Sequence, residues 1–271
     1  MIHPTSLRCA SLPRVVVALC LAVAAFALGG CAQDPDPKSA TGASVEEAAR
    51  PRSAPPSDLS VFRALPEVPP PPAPTVSCGY IPDGTADGPL PPPSASTVGT
   101  VEVVLDTSVG PVPLVLERAQ APCAVNSFVH LARRGFYDGV ACHRLSTDPG
   151  GELYQCGDPT GTGTGGPGYT FADEYPVTQF AAETAQGYVP PAVTYPRGTV
   201  AMANAGVRDS NGSQFFLLLG DSLLRQDFTA FGRITGDGLP VLEAAAADGH
   251  DDSSPLGGGI PNTPVVIQDV R

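Results

Sequence analysis

The stretch that most constrains this 271-residue chain is 197–219, RGTVAMANAGVRDSNGSQFFLLL. Two apolar runs, 198–202 and 214–219, flank a polar segment, Arg208-Asp209-Ser210-Asn211-Gly212. Asn and Gly tolerate the positive φ of tight turns, so Asn211-Gly212 between such runs predicts two strands joined by a turn. Successive side chains of a strand face opposite ways, so one of Phe215 and Phe216 belongs to a core and the other to a cleft. Asn204 and Gln214 stand at the ends of the runs, where an amide serves either its own turn or a ligand backbone.

Downstream of residue 98 the pattern is of short strands. Val101, Val103 and Leu105 alternate with Glu102, Val104 and Asp106, and after Gly110 a second run, 112–117, completes a hairpin. Ala121-Pro122 opens a helix whose inner face carries Val125, Phe128, Leu131 and Ala132. Its end, Arg133-Arg134-Gly135, suits the negative pole of the helix. Further strands are expected over 140–145, 153–158, 228–234 and 265–267, with a short helix over 239–247; 169–175 and 188–196 read as surface connections. Many short strands with two helices and no βα alternation point to a mainly β, closed antiparallel barrel.

Three motifs carry a family resemblance: Met202-Ala203-Asn204-Ala205-Gly206 with Asn211-Gly212-Ser213-Gln214-Phe215-Phe216, Gly135-Phe136-Tyr137-Asp138-Gly139 leading to His143-Arg144, and Gln155 ahead of a glycine-rich loop. Together they resemble the cyclophilins, peptidyl-prolyl cis-trans isomerases built on an eight-stranded β-barrel capped by two helices. The resemblance spans 98–271 and implies a monomer acting on proline-containing polypeptides without cofactor or metal. It implies Arg144 as the catalytic cation, Gln155 as its orienter and Asn204 as a grip on the substrate backbone. Gln214 and Ala203 would line the groove. Phe216 would floor a proline pocket with Leu224, Phe228 and Leu153, and Leu223 stands where many relatives carry a Trp. The stretch 147–153 departs from the family pattern, which leaves a non-catalytic module that binds proline segments as the alternative.

The loop Gly161-Thr162-Gly163-Thr164-Gly165-Gly166 also satisfies G-x-G-x-x-G, but Pro167-Gly168 follows where a dinucleotide site needs a helix. It reads as a flexible loop beside the cleft. The formal charge of −12 argues against nucleic acid, which needs a basic patch. Four His with no paired spacing offer no metal site.

The N-terminus reads as an address. Arg8 and Arg14 precede an apolar run over 15–28, too short for the roughly 20 residues of a spanning helix. Leu28-Gly29-Gly30-Cys31 resembles a bacterial lipobox, which implies a signal peptide at 1–30, lipidation of Cys31 and a place outside the cytoplasmic membrane. Residues 31–97 lack sustained periodicity and hold proline runs, so they read as a disordered tether. Beyond Cys31, Cys78, Cys123, Cys142 and Cys156 form an even set that an oxidising compartment would pair, with three connectivities open. The pairing of strands implied by the resemblance favours Cys142 with Cys156, which leaves Cys78 for Cys123.

Overall fold

The hairpin forms where alternation places it. In the computed structural model, which describes residues 58–86, 88–181 and 192–271, β1 (Thr100–Thr107) pairs antiparallel with β2 (Gly110–Glu117) along its length. Leu105, Val112, Leu114 and Leu116 face inward and are buried. The chain reverses at Gly110, whose φ of 130° excludes an ordinary side chain.

The helix α1 (Pro122–Arg133) starts with proline, whose missing N–H would have had no partner in the first turn. It buries Ala124, Val125, Phe128 and Leu131, spaced as one helical face. Phe128 stacks on Tyr137 at 5.0 Å and meets Phe215 edge-on at 5.5 Å. No side chain of its own caps α1. Glu174 does so from across the fold, accepting from Cys123 N at 3.0 Å and Ala124 N at 2.8 Å.

The remaining strands are β3 (Arg144–Ser146), β4 (Leu153–Cys156), β5 (Thr199–Asn204), β6 (Asn211–Leu218), β7 (Ala230–Ile234) and β8 (Ile267–Val270). With α2 (Gly238–Ala246) packed beside β2, they complete an eight-stranded antiparallel sheet in the order β8-β1-β2-β7-β5-β6-β4-β3. The sheet is a curled half-barrel and is open, which corrects the expected closed barrel. The strand expected over 140–145 is a ladder only from Arg144; Ala141 makes one isolated bridge, to Val266. The two edges are joined through loops instead, by Cys142 N to Val265 O (2.8 Å) and by the reciprocal pair between Leu145 and Gly259.

Three local expectations also change. The positive-φ positions between β5 and β6 are Gly206 and Asp209, whereas Asn211 is buried at the start of β6, donating to Phe171 O, Ala172 O and Asp173. Asn211-Gly212 therefore begins the strand and does not turn it. The stretches 169–175 and 188–196, expected as surface connections, contain the buried Tyr169, Phe171, Tyr175, Val193 and Tyr195 and form short strands at Tyr169–Thr170 and Val193–Tyr195. Residues 188–191 lie outside the described residues. The tether, expected to reach residue 97, is structured well before it.

Thr75–Ser77 pairs with Ser94–Ser96, and Ile81–Pro82 pairs with Tyr169–Thr170. Disulfides join Cys78 to Cys123 and Cys142 to Cys156. The first closes a sequence separation of 45 residues, a constraint worth about 2–4 kcal/mol. Still earlier, Thr194 N donates to Arg63 O and the Tyr175 hydroxyl to Pro66 O, while Leu65 and Val68 pack on the fold. Proline content conceals this order because the anchoring residues are few and scattered. The described residues all belong to one compact unit, Ser53–Arg271. The leader, Cys31 and the tether up to residue 57 lie outside the described residues.

Candidate active site

The sheet register assembles the site. Arg144 stands opposite Gln155, Gln155 opposite Phe216, and Phe216 opposite Ala201, on four neighbouring strands. Directly opposed residues share a face, so these four form a row across the sheet. The period of two adds Leu153, Gln214, Leu218 and Ala203 to that face. The opposite face holds Tyr154, Cys156, Val200, Met202, Phe215 and Leu217, all in the core beneath α1.

A polar chain runs along one side of the row. Arg144 donates from Nη1 to Gln155 Oε1 at 3.0 Å, Gln155 Nε2 to Gln214 Oε1 at 2.8 Å, and Gln214 Nε2 to the carbonyls of Gly163 (3.0 Å) and Gly165 (2.8 Å). Arg144 is further held by Gly257 O, which accepts from Nε at 2.9 Å, and by Leu256 O at 3.5 Å from Nη2. Burial pulls the guanidinium pKa down and nearby Asp148 opposes this, but a guanidinium stays charged throughout the useful range. Burial also lowers the pKa of the neighbouring His143, with Asp158 opposing and Arg144 reinforcing the shift. The imidazole beside Arg144 is therefore neutral at neutral pH.

The apolar side of the row is a second hydrophobic cluster, separate from the core. Phe216, Leu153, Ala203, Ala201, Leu218 and Tyr195 are buried in it. Leu224 and Phe228 are only partly buried and form its rim. Phe228 meets Phe216 edge-on at 5.2 Å, and Arg225 lies 5.8 Å over the Phe228 ring. Leu223 stands apart from this cluster; its N–H bonds Gly150 O and it pairs with Thr194. Asn204 is engaged locally, donating to Asp227 O at 3.1 Å and accepting from Gly206 N at 3.0 Å. It ties the β5 turn to the rim carrying Phe228.

Two contributors escape a reading of the sequence. Asp158 is buried and accepts from Thr160 N and Oγ1, Gly163 N and Gly165 N, which fixes the glycine-rich loop that looked flexible. Burial pushes its pKa up, but the bonds from Thr160, Gly165 and Gly163 outweigh this and hold the carboxyl below its usual range. The signal for it was Asp158-Pro159-Thr160, an Asx-turn sequence. The second contributor is the run Gly257-Gly258-Gly259. A Cβ on Gly258 would lie 1.9 Å from Leu145 O, so only glycine lets this segment reach Arg144. Among the described residues no group of three or more His, Cys, Asp or Glu could hold a metal ion.

Comparisons with known proteins agree with this architecture. Residues 101–271 match the family model described as cyclophilin type peptidyl-prolyl cis-trans isomerase/CLD. The probable peptidyl-prolyl cis-trans isomerase B of Mycobacterium tuberculosis is 48% identical over 159 residues, covering 57% of this chain and 51% of that protein. Its Mycobacterium leprae counterpart is 45% identical over 176 residues, covering 64% and 57%. The chain thus spans about half the length of the curated relatives it matches. A solved cyclophilin type peptidyl-prolyl cis-trans isomerase of Cryptosporidium parvum, crystallised in the presence of the dipeptide Ala-Pro, is 29% identical, with a TM-score of 0.50 over 63% of this chain and 97% of that one.

Proposed function

The chain belongs to the cyclophilin-type peptidyl-prolyl cis-trans isomerase family, and we propose that it accelerates X-Pro isomerisation in exported polypeptides. The observation that carries this reading is the row Arg144-Gln155-Phe216, which sets a fixed cation beside an apolar pocket on one face of the sheet.

Resonance holds an X-Pro amide planar behind a barrier of about 18–20 kcal/mol. Catalysis requires only that the twisted amide bind better than either planar form. Twisting returns the lone pair to the prolyl nitrogen, where a hydrogen-bond donor stabilises it. Of the five N–H groups of a guanidinium, Arg144 commits three to Gln155, Gly257 and Leu256. The remaining two serve the prolyl nitrogen and the carbonyl before it. Gln155 orients Arg144, while the ring sits on Phe216 with Leu153, Ala203, Leu224 and Phe228 around it. Gln214 commits both amide N–H groups to Gly163 O and Gly165 O, so it offers a substrate the course of the loop it holds. Asn204 places one Nδ2 donor on Asp227 O and turns the other to the substrate backbone. No covalent bond forms and no cofactor takes part.

The basic, apolar and Gly-Gly-Cys segments of the leader support an extracytoplasmic protein lipidated at Cys31. Exported chains would be its substrates, and the domain would work as a monomer.

Exchange NMR on an Ala-Pro peptide, using the full chain with its disulfides intact, tests the activity. Acceleration that falls about 10²- to 10³-fold in Arg144→Ala is expected, as for loss of a transition-state donor. A folded wild-type chain that binds the peptide without accelerating exchange would replace this reading with a holding module.

A further inference from the structure

The glycine-rich loop leaves β4 and is held at both ends by different parts of the chain. At its start Asp158 grips Gly163 and Gly165 from inside. At its far end the holder is the N-terminal extension. Asp83 N donates to Gly168 O at 3.0 Å, and Pro82 and Ile81 pair with Tyr169 and Thr170. Tyr80 meets Tyr169 edge-on at 5.5 Å. Gly168 has φ +79°, and a Cβ there would lie 2.1 Å from Ala86 Cα, so the approach of the two backbones depends on glycine. The extension is itself anchored two residues earlier by the Cys78–Cys123 disulfide, and the Tyr80 hydroxyl donates to Cys123 O at 2.9 Å.

The same Gly163 and Gly165 that Asp158 holds by their N–H groups present the carbonyls that receive Gln214, a few residues short of Gly168. Through Gln214 the chain reaches Gln155 and Arg144. We propose that residues 80–86 are a positioning element of the isomerase site, fixing the outgoing end of the loop and thereby the orientation of Gln214, Gln155 and Arg144. The inference rests on the function proposed above. It makes a stretch outside the family-matched residues 101–271 part of what sets the rate.

An extension that only stabilised the fold would change the melting temperature and leave the site alone, so the test reads the site directly. Gly168→Ala, Asp83→Pro and the pair Cys78→Ser with Cys123→Ser are each made in the full chain. Asp83→Pro removes the main-chain donor to Gly168 O together with the carboxylate that accepts from Thr85 N (2.8 Å) and Thr85 Oγ1 (2.6 Å), so Asp83→Ala, which loses only the carboxylate, is its control. The neighbouring Pro82 already sits in the extended backbone that precedes a proline. The side-chain amide resonances of Gln155 and Gln214 are followed by NMR, with kcat and KM for an Ala-Pro peptide measured well below each melting temperature. The expected result is displaced or broadened amide resonances, and kcat lower by about tenfold with KM moved less, because misorientation chiefly costs transition-state interactions. Unchanged resonances and kcat in variants that merely melt earlier would overturn the proposal. A wild-type chain without isomerase activity would defeat the functional reading, while the amide resonances would still decide whether the extension sets the loop.

Discussion

On one face of β6, Phe215 and Leu217 pack with Phe128, Tyr137 and Phe231 in the core beneath α1. On the other face, Phe216 and Leu218 join Leu153, Ala203 and Tyr195 in a cluster of similar chemistry. The first is sealed. The second has a rim, Leu224 and Phe228, left partly exposed, and a polar border running from Arg144 to Gln214. The proposed pocket is thus a core left unfinished: the same alternation that builds one cluster builds the other, and the second keeps partly exposed residues at its rim.

The largest expected effect is on the sealed face. Phe215→Ala should cost about 3–5 kcal/mol of unfolding free energy, read from urea denaturation, because the surrounding core cannot collapse into the space. Phe216→Ala should cost no more than half as much, since its cavity opens toward the rim. It should instead raise KM for an Ala-Pro peptide about 10- to 100-fold, as loss of buried aromatic contact implies. Equal destabilisation with unchanged KM would erase the distinction between the two faces.

The smallest effect concerns the carboxylate that caps α1 over the sealed core. Burial raises the Glu174 pKa from 4.5 to about 7, against the opposing bonds from Cys123 N and Ala124 N. With the folded-state value above the unfolded one, the native state binds the extra proton between these limits. Stability is therefore greatest below pH 4.5, as far as this group is concerned, and declines as pH rises through about 7. Glu174→Gln should flatten that decline in urea midpoints taken across the window. A slope that survives the substitution would place its origin elsewhere.

The sequence carried the local parts of this contrast and missed the distant ones. Alternation alone separates Phe215 from Phe216, and the hairpin and α1 follow from period and proline. Sheet closure was misjudged because it depends on whether 139–142 and 259–267 form a ladder or isolated bridges, which no local pattern encodes. The aromatic residues Tyr169, Phe171 and Tyr175 were a signal of burial that their loop-like neighbours outweighed. Arg144 and Gln155 were legible only through motif resemblance. Gly257 and the extension act largely through main-chain contacts, which leave little trace in residue type. Asp158 acts through its carboxylate, and its partners Gly163 and Gly165 lie too far along the chain for a local pattern to name.

The polar chain ends on the carbonyl oxygens of Gly163 and Gly165, groups that every amino acid possesses. What this stretch supplies is therefore its path through space, while its letters are free wherever φ and clearance permit. Substitutions at positions with open room, such as Gly166, should pass unnoticed, whereas a change at Gly157, where a Cβ would meet Ser213 O at 2.3 Å, would redirect the whole course. Across such a loop, similarity of composition is a poor guide to kinship of function, and similarity of trajectory is a better one.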